Sequence, residues 1–468
     1  MTEQLRLKLS EAAPGLRRAD DGSLWCDGVR LSAVAESFGT PCYVYSKAKI
    51  LERFDAYETA FGHSKHLVCY AVKANSAVGI LETLAAAGSG FDTVSGGEIL
   101  RALEAGASPE KIVFSGVGKS ERDIALALFA GIRCFNIESP EELERISAIA
   151  RDCGRRARIA VRVNPDVDAH VDEHVATGIG TSKFGVDKDD VPALYLRARE
   201  LGNCDIAGIS CHIGSQIESI DPYLEMIGIL SGIAQKLQRN GITLEHVDIG
   251  GGAGVAYRSS ETTLEPRCFI PRLDAEIRRH FGDGIEVMVE PGRSIVAEAG
   301  VLLTRCEFVK TARGGARFAI VDASMTELLR PALYRAHHEI ERAEPTSSKP
   351  ELVTIAGPVC ESTDILAKNR QLAVAPDDLL AIRNAGAYGM TMASNYNSRP
   401  LPMEVMIDGS RMIPLRHKRQ TTIDLVRADV RLGLTPHPAV SPEGVDRLAD
   451  AADRYAAAGR RHRRTEMH

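Results

Sequence analysis

The chain has 468 residues, a length that predicts about two to three domains. Apolar residues make up 44% of the sequence and charged residues 26%, which is typical of a globular protein that can bury a large core. The net charge of −6 argues against a nucleic-acid-binding protein, and no stretch is long and apolar enough for a membrane helix.

The N-terminal segment and the cysteines indicate the compartment. Residues 1–22 are polar and lack the apolar core of a signal peptide, so we expect a cytoplasmic protein. The 10 cysteines are scattered, with no CxxC pair and no zinc-ligand spacing. In a reducing compartment most of them should be free thiols in or near the core, and we expect no metal site.

Residues 67–290 alternate β-branched runs with amphipathic helical patterns. Strands that alternate with helices are typical of parallel βαβ units. A (β/α)8 barrel is therefore the leading prediction, and a doubly wound open sheet is the alternative. A Gly- and Thr-rich insertion, residues 165–188, should form an ordered loop at the barrel mouth. The eight candidate strands begin at residues 67, 91, 112, 132, 158, 206, 245 and 286.

The pattern changes after residue 297, where candidate strands follow one another without regular helices between them. Such a succession predicts an antiparallel β domain, sandwich-like or barrel-like, and residues 25–46 offer it a further strand. The strands begin at residues 301, 317, 352, 378, 403 and 411. The predicted division is a barrel over 46–296, a β domain over 1–45 and 297–435, and an arginine-rich tail over 436–468, to which we assign no function.

The ends of the predicted barrel strands should hold the active site, because (β/α)8 barrels place it there. Lys73 ends the first strand, and a desolvated lysine at this point could lose its proton and form a Schiff base. Strand six leads into His212 and Ser215, an imidazole that can stack on a flat ring and a hydroxyl that can reach a phosphate. Taken singly, a lysine at a strand end is usually a surface residue and a lone histidine is usually structural.

Strands seven and eight add two complementary parts. Residues 250–252 form a glycine run whose backbone N–H groups can close on a phosphate, although tight turns use such runs equally often. Glu290 can hold a protonated pyridine nitrogen, which makes pyridoxal phosphate (PLP) a strong electron sink. Asp92 and Arg162, at the ends of strands two and five, could support the ring or form structural ion pairs. Together these residues predict a PLP site.

A set of motifs runs in order along residues 22–430. With these motifs the chain resembles the fold-type III PLP-dependent decarboxylases, and among them the diaminopimelate decarboxylases most of all. The resemblance implies a PLP-bearing (β/α)8 barrel, a β domain and a homodimer with shared active sites. The motifs are YAVKAN (70–75), FDTVSGGE (91–98), TGIGTSKFGV (177–186), CHIGSQI (211–217), DIGGG (248–252), EPGRSIV (290–296), RPALY (330–334), GPVCESTD (357–364) and AGAYGMTMASNYNSRPLPMEV (385–405).

The resemblance also implies a role for each matching residue. Lys73 would bind PLP covalently, His212 would stack on its ring and Glu290 would hold the pyridine nitrogen. Cys360 would come from the second subunit and help to protonate the carbanion, whereas a cysteine in such a turn is otherwise most often a buried small hydrophobe. The other expected cofactor contacts are Asp92, Arg162, Ser215, Gly251, Gly252, Gly292, Arg293 and Tyr388.

The distal end of the substrate separates the members of this family. Ornithine and lysine end in an ammonium alone, whereas diaminopimelate ends in an ammonium and a carboxylate, so its site should contain both an arginine and an acid. Glu361 is the candidate for the ammonium. The candidates for the carboxylate are Arg293, Arg330 and Tyr334, with Tyr388 beside them. Arg330 could equally form a surface ion pair.

We therefore expect a decarboxylase that converts a small amino acid, meso-2,6-diaminopimelate, to L-lysine and CO2, the last step of lysine biosynthesis. A decarboxylase for ornithine, arginine or lysine on the same fold is the alternative, and the RPALY and CES segments speak against it. A racemase would place an arginine at the pyridine nitrogen. A non-catalytic PLP-binding regulatory protein would lack the β domain.

Overall fold

The computed structural model describes residues 14–169, 171, 177–180, 182–258, 260–261, 263–430 and 443–451. Within these ranges, no helix combines the length and the apolar character needed to cross a membrane. The first elements are a small antiparallel sheet, a helix, a strand and a second helix. They are β1 (Leu16–Arg18), β2 (Leu24–Cys26), β3 (Val29–Arg30), α1 (Leu31–Phe38), β4 (Cys42–Ser46) and α2 (Lys47–Phe61).

Eight parallel strands then form a closed barrel. Closure is made by the last strand, which pairs with the first through Val287↔His66, Met288↔Leu67 and Val289↔Val68. The predicted barrel is therefore confirmed, and the open-sheet alternative is wrong. The strands of this region are β5 (His66–Ala71), β6 (Gly90–Thr93), β7 (Ile112–Phe114), β8 (Cys134–Ile137), β9 (Ala157–Asn164), β10 (Val186–Asp187), β11 (Cys204–Ser210), β12 (His246–Asp248) and β13 (Glu286–Val289); β10 pairs only with β9, outside the closed ring.

Helices alternate with these strands and cover the barrel. Several begin at a serine whose Oγ accepts an N–H from the first turn: Ser95 from Glu98 at 3.2 Å, and Ser120 from Asp123 at 3.1 Å. The helices are α3 (Val78–Ala86), α4 (Gly96–Glu104), α5 (Glu121–Ala130), α6 (Pro140–Asp152), α7 (Val191–Leu201), α8 (Asp221–Arg239), α9 (Pro266–Phe281) and α10 (Arg293–Val296).

The insertion at residues 165–188 lies partly outside the described residues. Its described part is held by hydrogen bonds: Val167 N–H donates to Gly178 O at 2.8 Å, and Gly185 N–H donates to Glu138 Oε2 at 2.8 Å. This part of the insertion is therefore ordered against the end of the barrel, as the sequence predicts.

A separate sheet forms the β domain. The strand offered by residues 25–46 is β4, which lies between two strands from the C-terminal part of the chain, β14 and β20. Two pairings, β15 with β17 and β20 with β4, are parallel, so the sheet is mixed and not purely antiparallel. The elements are β14 (Gly300–Thr311), β15 (Arg317–Val321), α11 (Arg330–Tyr334), β16 (Ile340–Arg342), β17 (Glu351–Ala356), β18 (Ile365–Leu372), β19 (Leu379–Ile382), β20 (Met403–Asp408), β21 (Arg411–Pro414) and α12 (Thr422–Ala428). Of the predicted tail, residues 443–451 are helical and the rest lies outside the described residues.

Candidate active site

Lys73 lies in a short 3-10 turn that follows β5 directly. Its Nζ donates a hydrogen bond to Asp92 Oδ2 at 2.8 Å; the Asp92 side chain is fully buried, whereas 37% of the Lys73 side chain is exposed. Burial lowers the pKa of Lys73, but the carboxylates of Asp92 and Glu290 outweigh burial and raise the pKa above its ordinary value. The neighbouring carboxylates therefore oppose the proton loss that burial favours, and Schiff-base formation at Lys73 stays a prediction.

Three buried carboxyl groups surround this end of the barrel: Asp92 on β6, Asp248 at the end of β12 and Glu290 just after β13. Glu290 Oε1 and Asp92 Oδ1 accept no hydrogen bond from an N–H or hydroxyl group of the described residues, and the carboxyl groups of Glu290 and Asp248 hydrogen-bond to each other. Burial, followed by the charges of Asp248 and Asp92, raises the pKa of Glu290. Glu290 thus has no N–H donor of its own, and a donor placed against Oε1 would be strongly stabilised.

His212 follows β11 and is fixed by a backbone donor. The N–H of Gly251 donates to His212 Nδ1 at 3.2 Å, so the ring proton is on Nε2. Burial, and after it the charges of Lys73 and Arg162, lower the pKa of His212 far below its ordinary value. The ring is therefore neutral and can offer a flat face to an aromatic ligand.

The glycine turn after β12 brings the backbones of three strand ends together. A Cβ added to Gly251 would lie 2.1 Å from Glu290 O, and one added to Gly252, whose φ is 109°, would lie 2.3 Å from Gly214 O. Only glycine fits at these two positions. A Cβ on Gly292 would in turn meet Ala74 Cβ at 2.9 Å, so the backbone after β13 packs closely on the turn that carries Lys73.

Ser215, Arg293 and Tyr388 meet on a second side of the site. Arg293 Nη2 donates to Ser215 Oγ at 2.9 Å, and its guanidinium carbon lies 4.8 Å from the centre of the Tyr388 ring. The N–H of Tyr388 donates to Ala74 O at 2.8 Å. A residue of the β domain is thereby held directly against the turn that carries Lys73.

Arg330 lies in a cavity next to this group. The cavity has a volume of about 250 Å³ and is lined by charged and aromatic residues that include Arg293, Arg330, Tyr334 and Tyr257. Arg330 is buried; its guanidinium carbon lies 4.4 Å from the centre of the Tyr257 ring, and its Nη1 donates to His338 Nε2 at 2.8 Å. The alternative of a surface ion pair for Arg330 is therefore wrong.

Two predicted site residues, Arg162 and Cys360, have partners other than Lys73 in the single chain. Arg162 pairs with Glu138 at 2.9 Å and its guanidinium carbon lies 4.7 Å from the centre of the Phe184 ring, so it forms a structural ion pair. Cys360 is exposed, and its N–H donates to Asn397 Oδ1 at 3.3 Å. The alternative of a buried small hydrophobe is wrong for Cys360.

The loop that contains Cys360 presents other exposed groups. Glu361 accepts a hydrogen bond from the Tyr396 hydroxyl at 2.8 Å, and neither Cys360 nor Glu361 lines the cavity next to Arg330.

The cysteines behave as predicted: all ten are free thiols, and seven of the nine other than Cys360 are buried.

Comparison with known proteins decides the family. Residues 47–297 match the model of the pyridoxal-dependent decarboxylase family, pyridoxal binding domain. A diaminopimelate decarboxylase of Pseudomonas aeruginosa is 47% identical over 86% of this chain and 96% of its own length, and one of Vibrio cholerae is 44% identical over 86% and 95%. The chain belongs to the diaminopimelate decarboxylase family.

Solved structures agree with this membership. The diaminopimelate decarboxylase of Helicobacter pylori in complex with L-lysine is 40% identical, with a TM-score of 0.80, over 85% of this chain and 98% of that chain. The lysine/ornithine decarboxylase of Vibrio vulnificus, at 22% identity and a TM-score of 0.71, shares the fold alone.

The residues around Lys73 fit PLP, the cofactor of the diaminopimelate decarboxylase family. Glu290 Oε1 has no N–H donor among the described residues and can accept one from the protonated ring nitrogen, and the neutral His212 ring offers a stacking face. The glycine turn leaves the space that a Cβ would fill, and the Arg293 guanidinium, hydrogen-bonded to Ser215, is a buried cation of the same site. These are the parts that the sequence predicts for the cofactor.

Sequence reasoning missed Tyr257 and His338, which support the two arginines of this decarboxylase. Tyr257 lies five residues after the glycine turn and His338 four residues after α11. Neither lies at the end of a barrel strand, so the strand-end rule does not reach them. The one sequence feature that could have pointed to these two residues is their closeness to the glycine turn and to the RPALY segment.

Replacing Glu290 by glutamine should change how the stability of the cofactor-free protein depends on pH. The pKa of Glu290 is raised above its ordinary value of 4.5, so the unfolded chain releases this proton before the folded protein does. The stability contributed by the protonated group is complete below pH 4.5 and is lost as the pH rises through the folded pKa. We expect the Tm of Glu290→Gln to rise relative to that of the wild type as the pH increases above 4.5.

The same variant should bind PLP about tenfold more weakly or worse, because a buried charged hydrogen bond is lost. Glu104→Gln, which changes an exposed carboxylate, is the matched control and should leave both quantities unchanged. Parallel pH profiles of Tm for the wild type and Glu290→Gln would contradict this account of the carboxyl group.

Proposed function

We propose that the protein decarboxylates meso-2,6-diaminopimelate to L-lysine and CO2, the last step of lysine biosynthesis. The observation that carries this proposal is the pair of buried guanidinium groups, Arg293 and Arg330, in the cavity next to the PLP site. Among the described residues, neither forms an ion pair with a carboxylate, and both are held by uncharged groups. A substrate whose distal end carries a carboxylate supplies the missing partner.

Ornithine, arginine and lysine fit this cavity poorly. Although Glu218 and Glu261 also line the cavity, these substrates lack the distal carboxylate that would pair with the two buried arginines. The relatives of P. aeruginosa and V. cholerae carry the name diaminopimelate decarboxylase over nearly their whole lengths. The β domain, with Cys360 and Tyr388 in it, also speaks against a non-catalytic PLP carrier.

Each residue of the site has a task in the reaction. PLP, when bound, withdraws electrons from the substrate Cα and so stabilises the charge that remains when CO2 leaves. Glu290 keeps the ring nitrogen protonated, and Lys73 is the amine placed to hold the cofactor and to carry a proton back to Cα. Arg293 and Arg330 bind the distal carboxylate and thereby fix which end of the substrate reacts.

The active form is a homodimer with shared sites. The support for this is the exposed loop at Cys360 and Glu361, which carries a thiol and a carboxylate that have no place in the site of their own chain. From a second subunit, Cys360 would assist protonation and Glu361 would bind the distal ammonium. The phosphate contacts are Ser215, Gly251, Gly252 and Tyr388, with Arg293 nearby, while Gly292 is a further cofactor contact and Asp92 supports the ring.

The domain division and the compartment complete the proposal. A barrel over 46–296 is supported by the family match at 47–297, with 1–45 and 297–435 as the β domain and 436–468 as the tail. The ten free thiols favour the reducing cytoplasm.

A side-by-side assay of CO2 release tests the function. With added PLP, meso-diaminopimelate should be turned over, while ornithine, arginine and lysine should have kcat/KM values lower by a factor on the order of 10⁴, because they leave buried arginines unpaired. Without PLP the activity should fall. Faster turnover of ornithine or arginine than of diaminopimelate would refute the substrate assignment.

Hybrid dimers test the shared site. Lys73→Ala and Cys360→Ala should each be inactive as pure dimers. After random mixing they should regain about one quarter of wild-type activity, because half of the dimers are hybrids with one intact site out of two. A Lys73→Ala/Cys360→Ala double variant mixed with either single variant is the control and should regain nothing. Hybrid dimers, purified through two different tags, that stay inactive would show that Cys360 does not act across the subunit boundary.

A further inference from the structure

His338 lies directly behind Arg330 and is fully buried. Its Nδ1 lies 2.9 Å from the carbonyl oxygen of Arg383, and its Nε2 lies 2.8 Å from Arg330 Nη1. The Tyr257 ring packs edge-on against the imidazole, with the ring centres 5.2 Å apart. The histidine therefore connects the strand end at Arg383 to the guanidinium that lines the substrate cavity.

These two contacts fix the protonation state of His338. A carbonyl oxygen can only accept, so Nδ1 carries the proton; a guanidinium can only donate, so Nε2 is bare. The ring is therefore neutral. In agreement, burial, followed by the charge of Arg330, lowers the pKa of His338 to about 3.

A neutral acceptor has a particular consequence for a buried arginine. Buried charges are normally paired with opposite charges, and a carboxylate at position 338 would cancel most of the positive charge of Arg330. The imidazole instead orients the guanidinium and leaves its charge in place. Arg293 is held in the same manner, by the Tyr257 hydroxyl at 3.0 Å and by Ser215 Oγ.

We propose that His338 is a positioning residue that sets substrate selectivity, because it holds Arg330 in place without neutralising it and so reserves that charge for the distal carboxylate of the substrate. The inference rests on the proposed function and adds to it a residue that touches neither the substrate nor PLP. In this arrangement the selectivity of the cavity depends on the neutrality of the group behind the arginine as much as on the arginine itself.

A glutamine and glutamate pair at position 338 tests this inference, because the two side chains are nearly isosteric and differ in charge. His338→Gln should keep KM for meso-diaminopimelate within about threefold of the wild type, since its amide oxygen can still accept from Arg330. His338→Glu should raise KM by about ten- to a hundredfold, with a smaller change in kcat, because Arg330 is then already paired. PLP content and the cofactor absorbance should match the wild type in both variants.

Binding of L-lysine gives a readout without turnover. The product keeps the amino-acid end that does not react, so its dissociation constant should rise in His338→Glu in step with KM and stay near the wild-type value in His338→Gln. His338→Leu, which removes the acceptor and adds no charge, should also raise KM. His338→Gln, which keeps an acceptor, should have a KM near the wild-type value.

Equal KM and L-lysine affinity in the Gln and Glu variants would overturn the inference, as would a loss in kcat alone. If His338→Glu does not fold, the comparison of His338→Leu with His338→Gln decides, since equal KM values there would show that the acceptor does not position Arg330. Failure of the wild type to use diaminopimelate would refute the proposed function, which is a separate outcome.

Discussion

Closure of the barrel between β13 and β5 is the constraint on which the site depends. The register Val289↔Val68 places Glu290, just after β13, beside the turn that carries Lys73, although more than two hundred residues separate them. Asp92 and Asp248 reach the same mouth because parallel strands end on one side. Three buried carboxyl groups thus act on one another and on a single ammonium, which leaves Glu290 with a raised pKa and an unused acceptor oxygen. A ligand with a protonated ring nitrogen adds a positive charge and so reduces the repulsion among the three carboxyl groups.

The two ends of the site use charge in opposite ways. At the cofactor end, three buried carboxyl groups lie near one cation, Lys73, which cannot neutralise all of them. At the substrate end, Arg293 and Arg330 are held by hydroxyl groups, an aromatic ring and a neutral imidazole, so their positive charge is available to a ligand. A cationic cofactor nitrogen and an anionic substrate end are each attracted to their own side, and this separation supports both the orientation of the substrate and the choice of the end that reacts.

The sequence predicts the fold well where its pattern is strong. All eight barrel strands were predictable because each is a short apolar run between turn residues, whereas β18 was missed because half of its sequence, ILAKNRQL, is polar. Strand-end chemistry predicted Lys73, His212 and Glu290. It did not predict His338 or Tyr257, whose partners are set by packing between the barrel and the β domain. It also did not predict that Asp92, from another strand, raises the pKa of Lys73.

Borohydride reduction of the PLP-loaded protein, followed by peptide mapping, tests the central claim most directly. The account predicts one phosphopyridoxyl group per chain, carried by the peptide that contains Lys73, and none in Lys73→Ala. A label on another lysine, or an active protein that borohydride leaves unlabelled, would contradict it.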